Sequence, residues 1–140
     1  VDIDWEWPVE CGLTCAGSPQ DNANFTALMA EFRRQLDAVR PGLLLTAAVG
    51  AGVDKIRVTD PGAYHPYLDF INVMTYDFHG TWESQTNHMS PLFNSPGDPS
   101  TGDIKLFNTN DAIEAFLSRG VPATKLNLGV PFYGRGWTGV

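Results

Sequence analysis

Four short runs of β-forming residues alternate with helix-like segments, and that order constrains the fold more than any other feature of the chain. Val1–Trp7, Leu43–Val49, Phe70–Tyr76 and Leu126–Tyr133 read as strands. Between the first two, Phe25, Leu28, Met29, Phe32, Leu36 and Val39 fall on one helical face, with Asn24 as the expected cap and Pro41-Gly42 as the stop. A short helix or turn is predicted near Asp54–Val58, and a helix over Asn110–Arg119 that Gly120 ends. Leu43–Val49 is apolar almost throughout, the pattern of a strand covered on both faces. Strand–helix alternation predicts an α/β fold with a parallel sheet and right-handed crossovers. The two long segments rich in turn residues, Pro8–Asn22 and His79–Asn108, each follow a strand rather than a helix. Loops at the C-terminal ends of parallel strands are where such folds place their sites.

The composition narrows the function. With 140 residues, 43% of them hydrophobic, the chain suits one globular domain. No run of about 18 apolar residues is present, so no membrane-spanning segment is expected. A net charge of −7 argues against nucleic acid or an anionic membrane as partner, because both require a basic face, and it suits a neutral substrate. There is no initiating Met and the strand pattern starts at residue 1, so the chain is expected to be part of something longer. The missing leader therefore says nothing about secretion. Cys11 and Cys15 share one loop, which leaves a short disulfide ring and two unpaired thiols both open. They lack the second ligand pair of a zinc site. His65, His79 and His88 show no metal-ligand spacing, and no metal is expected. Asn24-Phe25-Thr26 fits a glycosylation sequon, but helix capping accounts for Asn24 more simply.

The first strand carries the chemistry. Asp2, Asp4 and Glu6 are spaced by two, so on a strand they share one face, about 6.6 Å apart per step. Val1, Ile3, Trp5 and Trp7 take the other face, expected to pack beneath helices. Carboxylates crowded where water is scarce repel one another, so at least one pKa should rise. A carboxylic acid still protonated near neutral pH is a general acid. Two rival readings are a solvated acidic edge strand and an oxygen-ligated Mg²⁺ or Ca²⁺ site. Trp5 and Trp7 oppose the first by implying burial behind the strand. The lack of a further Asp or Asn cluster nearby opposes the second.

Val1-Asp2-Ile3-Asp4-Trp5-Glu6-Trp7-Pro8 resembles the acidic signature of glycoside hydrolase family 18, the chitinases, from just after its first Asp and Gly. Met74-Thr75-Tyr76-Asp77-Phe78-His79-Gly80 and Gly129-Val130-Pro131-Phe132-Tyr133-Gly134-Arg135 are similar to that family's sixth- and seventh-strand blocks, in the family's order. The resemblance implies a fragment of a (β/α)₈ TIM barrel, about strands four to seven with their helices. Residues 1–140 would then be a partial catalytic domain, without the tryptophan that the eighth strand normally supplies under the sugar.

The implied activity is hydrolysis of β-1,4-N-acetylglucosamine linkages in chitin by substrate-assisted, retaining catalysis. Carried onto this chain, the resemblance makes Glu6 the general acid and later the base. Asp4 would bond the acetamido N–H, Asp2 would share a proton with Asp4, and Tyr76 would hold the acetamido oxygen. Met74 would pack beneath that group, while Asp77, Trp82, Tyr133 and Arg135 would bind sugar. Core packing explains Met74 nearly as well, and a surface ion pair or a rim anchor are the plainer readings of Arg135 and Trp82. No cofactor is implied. The full-length parent is expected to be a secreted monomer acting on chitin or chito-oligosaccharides. The alternatives are a related endo-β-N-acetylglucosaminidase and a chitinase-like lectin that binds without cutting. The presence of Glu6 favours an enzyme over the lectin.

Overall fold

The computed structural model describes residues 1–140. Four parallel strands form one sheet in sequence order: β1 (Asp2–Asp4), β2 (Thr46–Gly50), β3 (Phe70–Met74) and β4 (Leu126–Leu128). The helices are α1 (Asp21–Val39), α2 (Val53–Val58), α3 (Pro61–Tyr64) and α4 (Thr109–Leu117). The α/β class and the parallel sheet follow the expectation. The strands are shorter than the apolar runs that encode them.

Register separates the two faces. Ile3 pairs with Ala47 and Ala47 with Ile71, while Val49 pairs with Val73. These side chains point toward the helices and join Phe25, Met29, Ala112 and Phe116 in one core. Trp5 meets Phe25 edge-on at 6.0 Å, and Phe25 meets Tyr64 at 5.0 Å, which ties β1 to α1 and α3. The alternate positions form the polar face: Asp2 beside Thr46, and Asp4, Ala48, Asn72 and Asn127 in one row. Along that row Asn127 donates its amide to Asn72 at 3.1 Å.

Three strand ends correct the sequence reading. β1 ends at Asp4, so Glu6 and Trp7 lie beyond it, and the peptide joining them is cis. β3 stops at Met74, where it pairs with Gly50, the last residue of β2. With no ladder partner beyond, Thr75 N–H turns to the carbonyl of Val73. β4 stops at Leu128, leaving Tyr133 and Arg135 outside any strand.

Helix α1 starts at Asp21 with Gln20 at its N-cap, so Asn24 sits in the first turn and caps nothing. The Asp21 carboxylate instead accepts the Ser18 N–H at 2.8 Å and the Val9 N–H at 3.4 Å, fixing the helix start to the preceding loop. An acid in the first turn also complements the helix dipole. Asn108 caps α4 by accepting the Asp111 N–H at 3.0 Å, and Gly120 leaves that helical region with φ 83°. Cys11 and Cys15 are joined as a disulfide.

Candidate active site

The C-terminal ends of the strands open into a cavity of about 590 Å³, within the range of small-molecule sites. Glu6 beyond β1, Gly50 at the end of β2, and Met74, Tyr76 and Asp77 beyond β3 line it, with Trp82 from the following loop. Of the residues singled out from the sequence, five therefore share one cavity: Glu6, Met74, Tyr76, Asp77 and Trp82.

Asp4 sits just below, against Glu6. The Glu6 carboxyl is raised above the ordinary glutamate value, first by loss of water at the cleft wall. The charge of Asp4, a hydrogen bond with Asp4 and the charge of Asp77 push it the same way. The Tyr76 hydroxyl is also raised, first by desolvation and then by the charges of Asp4, Glu6 and Asp77. The phenol thus faces the acids, and the acidic side of β1 turns toward the cavity rather than away from it. Asp2 lies deeper along the strand, where its carboxylate accepts a short hydrogen bond from the Thr46 hydroxyl.

Tyr133 and Arg135 do not line the cavity wall. They reach it through Asp77. The Asp77 carboxylate accepts the Tyr133 hydroxyl at 2.7 Å on one oxygen, and Arg135 Nε and Nη2 at 2.9 and 2.7 Å on the other. Asp77 holds a φ of 52°, left-handed backbone that aims this side chain across to the segment after β4. Burial, the bond to Asp77 and the Asp77 charge push the Tyr133 hydroxyl up to about 12. The Arg135 guanidinium lies 5.0 Å above the Trp82 ring centre, so one cation joins Asp77 to the indole.

Glycines set the aromatic positions. A Cβ on Gly50 would lie 2.8 Å from the Trp7 ring, and one on Gly80 would lie 2.4 Å from the Trp82 ring. Behind Trp82, the buried His79 bonds Glu83 through Nδ1 at 2.9 Å and packs on Phe107. His79 is thus a loop anchor within the His79–Asn108 segment.

Sequence reasoning missed three contributors. Strand parity placed Trp7 beneath the helices with Trp5, and it does border Trp5, Phe25 and Tyr64, but because the strand ends before it Trp7 also lines the cavity beside Glu6. Asp54 and Lys55 also line the wall as a pair, 2.6 Å apart, and the second Asp54 oxygen is buried without a partner. Their position at the start of the helix after β2 was the available signal, because that is a C-terminal strand end.

The chain matches the profile of Glycosyl hydrolases family 18 over residues 1–140, and it belongs to that family. Among curated relatives it is 45% identical over 145 residues to Chitinase C of Streptomyces lividans, and 42% identical over 146 residues to Chitinase A1 of Niallia circulans. Those alignments take in 100% and 99% of this chain but only 22% and 21% of the relatives, so the chain spans about a fifth of their length. Among solved structures it superposes on the chitinase ChiA74 from Bacillus thuringiensis with a TM-score of 0.87 at 42% identity. That match covers 97% of this chain and 22% of that one.

Proposed function

We propose that the full-length protein is a chitinase that hydrolyses β-1,4 linkages between N-acetylglucosamine units, with the substrate's own acetamido group as nucleophile. The observation that carries this reading is the convergence of Glu6, Asp4 and Tyr76 at one cavity, with the Glu6 carboxyl raised by its surroundings. An acid that holds its proton at higher pH is suited to protonate the glycosidic oxygen. As that C–O bond breaks, the acetamido oxygen bonds to the anomeric carbon and gives an oxazolinium ion. The Glu6 carboxylate then takes a proton from water as the water oxygen attacks the same carbon from the other face, the bond from that carbon to the acetamido oxygen breaks to restore the acetamido group, and configuration is retained.

In this proposal Tyr76 bonds the acetamido oxygen and holds it in line for attack. Orientation of this kind contributes up to roughly 7–11 kcal/mol in well-aligned systems. Asp4 bonds the acetamido N–H and balances the oxazolinium charge, and Asp2, anchored to Thr46, adds negative potential beneath it. Met74 packs under the acetamido methyl. Trp7 and Trp82 offer indole faces to neighbouring sugar rings, and Asp77 with Tyr133 and Arg135 forms the hydrogen-bonding wall.

Part of the same proposal is that the four strands are the fourth to seventh of a (β/α)₈ barrel, with residues 1–140 a portion of its catalytic domain. Secretion belongs to it as well, and the Cys11–Cys15 bond suits an oxidising compartment. So does monomeric action on chitin or chito-oligosaccharides without a cofactor. The presence of Glu6 against Asp4 favours hydrolysis over sugar binding alone. The test is the full-length protein and its Glu6→Gln variant on N-acetylchito-oligosaccharides, with the anomer of the first product read by NMR. Retained β-product from wild type and a rate lower by at least about 10²-fold in the variant are expected. Equal cutting by both, or binding without cutting, would remove the assignment.

A further inference from the structure

The loop after β1 is tied to the cleft at one end and to α1 at the other. Cys11 and Gly12 line the cavity beside Glu6. A Cβ on Gly12 would run into the Glu6 carbonyl group, 2.7 Å from its carbon, and would lie 3.1 Å from the Trp7 nitrogen. The Gly12 backbone therefore rests directly on the peptide that carries Glu6. The Cys11–Cys15 bond closes a turn around this contact, and inside the turn the Gly12 N–H donates to the Thr14 carbonyl at 3.1 Å. At the far end the Asp21 carboxylate holds the Val9 and Ser18 N–H groups, and a Cβ on Gly17 would lie 2.7 Å from the Val9 carbonyl oxygen.

Between these anchors the loop does not keep its shape unaided. Val9 has φ 71°, left-handed backbone that a β-branched residue adopts only where its surroundings hold it. Cys11 to Gly17 are all exposed, so core packing does not supply that hold. A ring closed over a sequence separation of 4 removes less freedom from the unfolded chain than a long loop would, and general stability is a poor account of it. Its constraint is local. It fixes Cys11 and Gly12 and, through Gly12, the Glu6 carbonyl.

We propose that the Cys11–Cys15 cross-link is a positioning element for Glu6, keeping Gly12 seated on the Glu6 carbonyl so that the side chain holds its direction into the cleft. This rests on the reading of Glu6 as the general acid, and it makes the acid's placement depend on the oxidation state of one exposed pair. When the pair is reduced, Gly12 leaves the Glu6 peptide and water enters at the cleft wall. Loss of water is the first cause of the raised Glu6 carboxyl, so that value falls toward the ordinary one. The other groups facing Glu6 stay as they were: Asp4 on β1, Tyr76 and Asp77 after β3, and Asp54 with Lys55 on α2. Glu10, the charged side chain of the loop itself, does not contribute to the shift.

The test compares the full-length protein oxidised, reduced with dithiothreitol, and as the double variant Cys11→Ser/Cys15→Ser. Reduction gives each sulfur one electron and one proton, while the dithiol closes into its own cyclic disulfide. On N-acetylchitotetraose, kcat is expected to fall about tenfold or more in the reduced protein and in the double variant, with KM within about twofold of the oxidised wild type. The alkaline limb of kcat/KM should move to lower pH in both. Reoxidation should restore the wild type, and dithiothreitol should leave the double variant where it was, which separates this pair from any other disulfide in the protein. Gly12→Ala, with the cross-link intact, should lower kcat in the same way. A rise in KM alone, an unmoved limb, or wild-type kcat in the double variant would overturn the positioning role. If the oxidised wild type cuts nothing, the chitinase reading fails instead. Titration of the Glu6 carboxyl by carbon-13 NMR, its signal identified with Glu6→Gln, still decides the cross-link: a lower midpoint on reduction upholds it and an equal midpoint refutes it.

Discussion

A Cβ placed on Gly129 would stand 2.7 Å from the Tyr76 ring. The glycine also donates its N–H to Val73 at 2.9 Å and accepts the buried Thr75 hydroxyl at 2.7 Å, so its backbone is held and the ring must be the part that yields. Gly129→Ala in the full-length protein is expected to swing the Tyr76 phenol away from Glu6 and Asp4. The expected outcome is a loss of about 10²-fold in kcat on chito-oligosaccharides and a stability loss of about 1–3 kcal/mol from overpacking. Steady-state kinetics and a denaturant titration check the two effects, and the proposal for Tyr76 requires that Tyr76→Phe also lower kcat, without the stability loss.

The pH profile should depend on Asp4 in a definite direction. Activity that needs protonated Glu6 falls as pH rises through its pKa. Asp4 raises that pKa both by charge and by a hydrogen bond. Asp4→Asn removes the charge, so the alkaline limb of kcat/KM should move to lower pH, whatever the loss in absolute rate. A limb that stays in place, or moves to higher pH, would detach Asp4 from Glu6.

Stability should show the same acid from the other side. Because the Glu6 carboxyl is raised on folding, the protonated form is favoured in the native state. The favourable contribution is full below the ordinary glutamate value of 4.5 and is lost as pH rises through the higher folded value. Glu6→Gln is accordingly expected to raise the melting temperature at neutral pH and to leave it unchanged in acid. A gain of equal size at every pH would point to packing rather than charge.

Asp77 governs the Tyr133 hydroxyl, which its bond and charge help to push up to about 12. In Asp77→Asn the phenol loses the charge above it, and one tyrosine should titrate nearer its ordinary value of 10.0. Ultraviolet difference titration of wild type and variant reads this directly, with Tyr133→Phe identifying the absorbance that moves. Arg135 loses its fork partner in the same variant, so the Trp82 fluorescence should change as well.

Residues 1–140 expressed alone should self-associate. β1 and β4 each pair on one side only, which leaves two open strand edges. Val130 and Phe132, just past β4, are 69% and 99% exposed. Light scattering that grows with concentration is the expected result. A monomer at every concentration, with one cooperative melt, would contradict it.

The fold was readable because its signal is periodic. Alternating Ile3, Ala47, Ile71 and Val73 against a helix carrying Phe25 and Met29 leaves few arrangements besides a parallel sheet with helices on one face. The strand ends were not readable, because a strand extends only as far as its neighbour pairs with it. Met74 is last in β3 because Gly50 is last in β2, and nothing in Thr75 or Tyr76 announces it. Parity fails past such an end. It placed Trp7 wholly on the helix side, whereas Trp7 borders Trp5 and Phe25 and also lines the cavity. The link from Asp77 to Tyr133 and Arg135 joins segments 56 and 58 residues apart, and it depends on one left-handed backbone angle that no local pattern encodes. Glu6, Asp4 and Tyr76 were legible as chemistry because of residue type and motif, and their convergence was a matter for three dimensions.

Trp82 is 59% exposed yet has little freedom, with Gly80 against one part of its ring and the Arg135 guanidinium over it. Most water-facing indoles sample several rotamers and must give them up when something settles on them. This one is fixed in advance by its neighbours, so a ligand meeting it forgoes that entropic loss. Tightness on that flank is then governed by how well the incoming ring fits the indole, and loosening Arg135 should weaken the grip through a freed Trp82 as well as through the hydrogen-bonding wall it shares with Asp77.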